Sequence, residues 1–276
     1  MPRKIDAHHH FWKVERGDYH WMPQTGPLRR DYLPDDQAPL LQSAAIDGTI
    51  LVQAAQTIAE TNFLLDLATQ SGSRVMGVTG WVPLDADHAP AELERLAAHP
   101  KAVAVRPMLH DLPDADWITQ PRVIERMRRL PALDLRFEVL SYPVHLPYAL
   151  KAIDQVPDLV VVIDHLSKPT YGPTMSEDWR HWMAEFAHRP NVYCKLSGMV
   201  TEVGEGWKVD DFRAHADFVL ETFGPQRVMF GSDWPVCLKA AHFMQVVQLA
   251  ETLTSRYSEA ERAQIWGETA AHFYGV

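Results

Sequence analysis

The chain has 276 residues, 46% hydrophobic and 10% aromatic, enough to bury the core of one barrel-sized domain or two smaller ones. Acidic residues outnumber basic ones 36 to 26, and the formal net charge of −10 argues against nucleic acid or an anionic membrane surface as partner. No stretch approaches the roughly 20 apolar residues of a membrane span, Met1-Pro2-Arg3-Lys4 carries no signal-peptide pattern, and two cysteines, Cys194 and Cys237, do not make a disulfide framework, so a soluble cytoplasmic protein is expected.

The chain opens on Ile5-Asp6-Ala7-His8-His9-His10-Phe11-Trp12. In a strand, side chains alternate between faces, so His8 and His10 project together and His9 points away. A strand over Arg3–His8 therefore ends in two imidazoles aimed the same way, half of a metal site by residue type. A tag remnant would not run straight into a hydrophobic strand pattern, which favours metal binding or catalysis.

Phe11–Pro39 follows without periodicity. Its aromatics Trp12, Tyr19 and Trp21 argue against disorder, so a long loop folded over one end of the domain is expected. Beyond it, β-branched runs at Thr49–Gln53, Val75–Trp81, Ala102–Pro107, Asp134–Leu140, Leu159–His165, Val192–Ser197 and Arg227–Asp233 read as strands. Amphipathic stretches at Ala59–Gln70, Ala89–Ala98, Pro121–Leu130, Leu146–Gln155, Glu177–His188, Asp210–Phe223 and Ala240–Leu253 read as helices. Thr57-Ile58-Ala59-Glu60 and Ser258-Glu259-Ala260-Glu261 have capping-box spacing. The last of these starts a closing helix over Ser258–Tyr274. Eight strands alternating with helices predict a single (β/α)8 TIM barrel over residues 1–276, with an open doubly wound sheet as the alternative.

Barrel active sites gather at the C-terminal ends of the strands. Taken in order, those ends present His8 and His10, then Gln53, Trp81, Arg106 with His110 beyond, and Glu138. Asp164-His165 with Lys168, Lys195-Leu196-Ser197 and Gly231-Ser232-Asp233-Trp234-Pro235 follow. Each has an ordinary explanation: His165 as a core histidine, Asp233 as a helix cap, Lys195 as a snorkelling side chain. The recurrence of polar groups at five strand ends outweighs those readings. A buried unpaired Lys195 is expensive, so Lys195 and Arg106 are assigned to a pocket. Glu138 either touches a ligand or pairs with Arg106 or Lys195. Gln53, Trp81, Lys168 and Trp234 are candidate substrate contacts.

These motifs, with Arg30-Asp31-Tyr32-Leu33-Pro34, Ile163-Asp164-His165-Leu166-Ser167-Lys168-Pro169, Cys194-Lys195-Leu196-Ser197-Gly198 and the tail Trp266-Gly267-Glu268-Thr269-Ala270, resemble the amidohydrolase superfamily, in its branch of sugar-lactone hydrolases. The resemblance runs in order from about residue 5 to residue 274. It implies that His8 and His10 are the first-strand metal pair, His165 the sixth-strand histidine, and Asp233 the eighth-strand aspartate that activates water. Lys195 and Arg106 correspond to cations that meet the lactone carbonyl. One divalent ion, Zn2+, is implied among His8, His10, His165 and Asp233, with metal-independent catalysis left open. The fifth strand offers Glu138 where many relatives carry a histidine, which argues against a two-metal centre.

The implied reaction opens an aldonolactone, such as L-fuconolactone or L-rhamnonolactone, to its aldonic acid. The substrate would be bound by Gln53, Trp81, Glu138, Lys168 and Trp234. An anionic lactone, or a decarboxylase or amide hydrolase on the same scaffold, is the alternative. A barrel that only binds a ligand is a further one. Homo-oligomerisation is left open.

Overall fold

The structure, a computed structural model, describes residues 3–70 and 72–276. Eight short parallel strands lie side by side in chain order: β1 Ile5–His9, β2 Gly48–Val52, β3 Val75–Gly80, β4 Ala102–Val105, β5 Arg136–Val139, β6 Val161–Ile163, β7 Val192–Leu196 and β8 Val228–Phe230. Their residues are buried almost throughout, as in Gly48-Thr49-Ile50-Leu51-Val52, because a barrel strand is covered on both faces. The first and last strands are drawn together by two backbone bonds. Asp233 N–H donates to the His8 carbonyl at 2.8 Å and His10 N–H to the Trp234 carbonyl at 2.7 Å. The sheet thereby forms the (β/α)8 barrel expected from the alternating pattern.

All eight expected strands are present, most with tighter bounds. The first is shifted: it starts at Ile5 and runs through His9, with a register irregularity between Asp6 and His9 against β2. Seven expected helices are present as α2 Ile58–Ala68, α3 Ala89–Ala97, α4 Pro121–Met127, α5 Leu146–Ile153, α6 Glu177–Ala187, α8 Val209–Phe223 and α9 Phe243–Leu253. The first helix, α1 Pro34–Ser43, begins inside the stretch expected to be irregular and contains Pro39. An interior proline costs a helix about 3 kcal/mol, which hid the element from a local reading. Here Pro34 occupies the first turn, Asp36 accepts from Leu33 N–H at 2.9 Å, and Leu41 is buried against the barrel. A short helix, α7 Met199–Val203, was also not expected.

The closing helix expected over Ser258–Tyr274 runs as α10 Glu259–Ala263, one wide turn over Gln264–Glu268, and α11 Thr269–Tyr274. Ser258 and Glu261 exchange both capping bonds. Thr57 caps α2 by accepting from Glu60 N–H at 3.0 Å. The Glu60 carboxylate instead reaches back to Ala54 N–H at 3.0 Å and Ala55 N–H at 2.7 Å, bracing the loop after β2. From below, Phe273 and Tyr274 pack against Ile5, Ile50, Val162 and Met229 and plug the barrel. Among the described residues no helix is long and apolar enough to cross a membrane.

Candidate active site

The strands end early, so several candidate side chains belong to the first residues of the following loops. Arg106 follows the last residue of β4, and Asp233 stands three residues beyond β8. After β6 the backbone makes a left-handed turn through four consecutive non-glycine residues, His165, Leu166, Ser167 and Lys168, at φ 54°, 53°, 57° and 48°. Such residues cost roughly 1–2 kcal/mol each, so the surroundings must hold them. Lys168 N–H donates to the His165 carbonyl and Trp179 Nε1 to the Leu166 carbonyl, both at 2.8 Å. The Ser141 and Ser167 hydroxyls meet at 2.8 Å, as do His165 Nδ1 and Ser197 Oγ. The turn delivers His165 and Lys168 into one cavity.

Two glycines are required by proximity. A Cβ on Gly198 would lie 2.5 Å from the His165 ring, and one on Gly231 would lie 2.6 Å from His8 Cβ. The glycine of Gly-Ser-Asp therefore lets β8 close onto the first histidine.

At the barrel mouth lies a cavity of ≈ 370 Å³. Of the sequence candidates, His10, Arg106, His165, Lys168 and Asp233 line it, together with His110. Gln53, Trp81, Glu138 and Trp234, read as substrate contacts, do not, and neither do His8 and Lys195. Gln53 is buried, its side-chain amide donating to the Arg106 carbonyl at 2.8 Å and its backbone carbonyl accepting from the Arg106 guanidinium. Trp234 is buried against Phe11 and Tyr32, while Trp81 uses its backbone to bond Thr61. Lys195 lies beneath His8, with Nζ 3.2 Å from His8 Nδ1, 2.7 Å from Glu138 and 3.0 Å from Asp164. Glu138 also accepts from Thr79 Oγ1 at 2.7 Å and from Tyr274 OH. Arg106 bonds Asp164 at 2.9 Å and lies 3.3 Å from His8 Nε2. A layer of alternating charge thus supports the cavity floor.

Wall residues that the sequence reading missed are Trp21, Asp111, Tyr142, Thr201, Glu202 and Lys239. Asp111 and Glu202 carried a signal, each as the first acidic residue after its strand, the fourth and the seventh.

Burial raises the Asp233 carboxyl, but His165, His10 and Lys168 outweigh it and hold the group below the usual carboxylate range. Burial lowers His165 to about 4, and burial with Lys195 puts His8 well below its ordinary value, so both rings are neutral near pH 7. His8, His165 and Asp233 offer ligand atoms all within 4.8 Å of one another. His10 Nδ1–H donates to the Val52 carbonyl at 2.8 Å, which aims Nε2 at Asp233 Oδ1, 3.3 Å away. A ring nitrogen this close to a carboxylate oxygen is bridged by a proton or by a cation that both atoms bind. Neutral imidazoles and an ionised carboxylate suit a divalent ion. A second grouping, His8, Glu138 and Asp164, already surrounds the Lys195 ammonium and has no place for a metal.

An amidohydrolase family model matches residues 5–276. An L-fucono-1,5-lactonase from Burkholderia ambifaria is 40% identical over 281 residues, covering 100% of this chain and 97% of its own. One from Burkholderia multivorans is 38% identical, covering 99% and 96%. Among solved structures, an amidohydrolase from Burkholderia multivorans with bound zinc superimposes at a TM-score of 0.91, with 38% identity over 99% of both chains. The match of the whole barrel, from the first-strand histidines to the closing helix, places this chain in the amidohydrolase family.

Proposed function

We propose that the chain is a lactonase that hydrolyses a sugar lactone, an aldonolactone such as L-fuconolactone, to the aldonic acid. The carrying observation is the ionised Asp233 on a cavity wall shared with Arg106, His165 and Lys168, in a chain 40% identical to an L-fucono-1,5-lactonase. Asp233 is anionic at neutral pH and positioned to take a proton from a water beside it. The attacking oxygen bonds to the lactone carbonyl carbon, and the carbonyl oxygen gains the displaced electron pair. Arg106, the guanidinium on the cavity wall, stabilises that oxyanion. As the oxyanion collapses, the ring C–O bond breaks and Asp233 returns its proton to the departing oxygen. Lys195, out of reach of the cavity, acts through His8 by holding that ring in place.

His8, His10, His165 and Asp233 would hold one divalent ion, with zinc favoured because the Burkholderia multivorans relative binds it. When bound, such an ion supplies Lewis acidity beside Asp233. Arg106, Lys168 and Lys239 in the cavity lining favour a lactone bearing an anionic group as the second reading. A decarboxylase is disfavoured because β5 offers Glu138, committed to Lys195, and no histidine.

The test is acid release from a panel of neutral and anionic lactones. Wild type should turn over at least one aldonolactone, and Asp233→Asn should lose about 10²–10⁴-fold in kcat. Retained activity in Asp233→Asn would sink the mechanism, and carbon dioxide release from an aromatic acid would favour the rival chemistry.

A further inference from the structure

We propose that Glu202, paired with Lys168, reads the hydroxyl groups of the lactone and so sets which sugar is accepted; this rests on the lactonase reading. The pair joins two strand-end loops. Lys168 closes the left-handed turn after β6, and Glu202 sits on α7 after β7. Glu202 Oε1 accepts from Lys168 Nζ at 2.8 Å, and both residues line the cavity. Their side chains are only 21% and 15% exposed, so the pair belongs to the cavity wall and not to the outer surface. Lys168 Nζ also stands 5.7 Å from the Tyr142 ring, which limits the positions open to the ammonium.

Glu202 is not among the groups that reach Asp233, His10 or Arg106, so it stands apart from the reacting atoms. Its second oxygen makes no hydrogen bond to protein among the described residues, leaving an acceptor for a ligand. Two polar atoms of other lining residues, Thr201 Oγ1 and His110 Nδ1, are buried and have no partner among the described residues. Other parts of the lining are apolar: Ala54, Met108, Leu140 and Val236.

A sugar lactone has matching chemistry, with hydroxyls on some ring positions and bare C–H on others. A carboxylate accepts from hydroxyls, and the ammonium donates to hydroxyl or ring oxygens. Held together, the two charges fix each other's rotamer, so a hydroxyl of the wrong configuration meets no partner. A site built to bond a substrate hydroxyl rejects the analogue that lacks it far more strongly than an apolar pocket rejects a missing methylene. Recognition, and not proton transfer, is the role left to this pair.

The experiment crosses two series. Kinetics are measured on the best aldonolactone and on analogues each lacking one hydroxyl, with wild type, Glu202→Ala and the shape-preserving Glu202→Gln. In wild type one deoxy analogue should lose about 10–100-fold in kcat/KM, the worth of a hydrogen bond to a charged group. In Glu202→Ala that particular penalty should shrink below about 3-fold while the others persist, and Glu202→Gln should fall between. The parent lactone should show its loss mainly in KM. If Glu202→Ala lowers kcat/KM by one common factor across the series, or mainly through kcat, the pair is structural and the proposal fails. Failure of wild type on every aldonolactone would instead refute the lactonase reading.

Discussion

Replacing Glu138 by Gln separates a buried counter-ion from a substrate contact. Glu138 is fully buried and surrounded by donors: Lys195 Nζ at 2.7 Å, Thr79 Oγ1 at 2.7 Å and Tyr274 OH. A glutamine keeps the shape but has one acceptor oxygen, so its amide N–H₂ must face at least one of those donors. Removing one partner of a buried ion pair costs about 3–5 kcal/mol, because the other charge stays buried. Lys195 keeps Asp164 at 3.0 Å, which places the loss at the lower end, about 3 kcal/mol. At roughly 2–4 °C per kcal/mol for a chain of this size, Tm should fall by about 6–12 °C. Urea unfolding followed by tryptophan fluorescence would give the free energy, and lactone hydrolysis would give the kinetics. KM should stay within about 2-fold, because Glu138 does not line the cavity. An unchanged unfolding midpoint with a KM raised tenfold would refute the reasoning and restore Glu138 as a substrate contact.

Arg106→Met removes the guanidinium from the cavity wall and should lower kcat by about 10²–10³-fold; a change confined to KM would deny it the oxyanion role. Tyr274→Phe deletes one donor to a buried carboxylate and should cost about 1–3 kcal/mol in urea unfolding with KM unchanged. Stability unchanged within error would show that the bond to Glu138 contributes nothing. Acid should destabilise the chelator-treated protein. His8, His9, His110, His165 and His215 all have pKa values lowered by burial, to about 3 for His110 and about 4 for His165. The folded state therefore binds fewer protons than the unfolded one below about pH 6.5, and stability falls as pH drops, by up to about 1.4 kcal/mol per pH unit for each ring. Asp6 and Glu60, raised by burial to about 6 and about 8, and Asp111, also raised by burial, act with the opposite sign but number three against five. A urea midpoint that rises from pH 7.5 to 5.5 would contradict this balance.

The barrel and much of its site are legible in the sequence because both follow from local pattern. β-branched runs mark the strands, amphipathic stretches mark seven helices, and the polar residues that break the apolar strand pattern at their ends include His10, Arg106, His165, Lys168 and Asp233, which meet in one cavity. Where local propensity and tertiary packing conflict, the sequence misleads. Pro39 hides α1, and nothing in His165-Leu166-Ser167-Lys168 announces a left-handed turn that glycine or asparagine would normally flag. Depth is the larger gap. Residues at strand ends look equivalent in the sequence, yet Arg106 reaches the cavity while Lys195 and Glu138 lie below it. That difference is set by partners remote in the chain, such as Tyr274, 136 residues from Glu138, and His8, 187 residues from Lys195. Periodicity tells which face a side chain takes; only the closed barrel decides which distant charge is waiting there, because burying one ion obliges the fold to supply another.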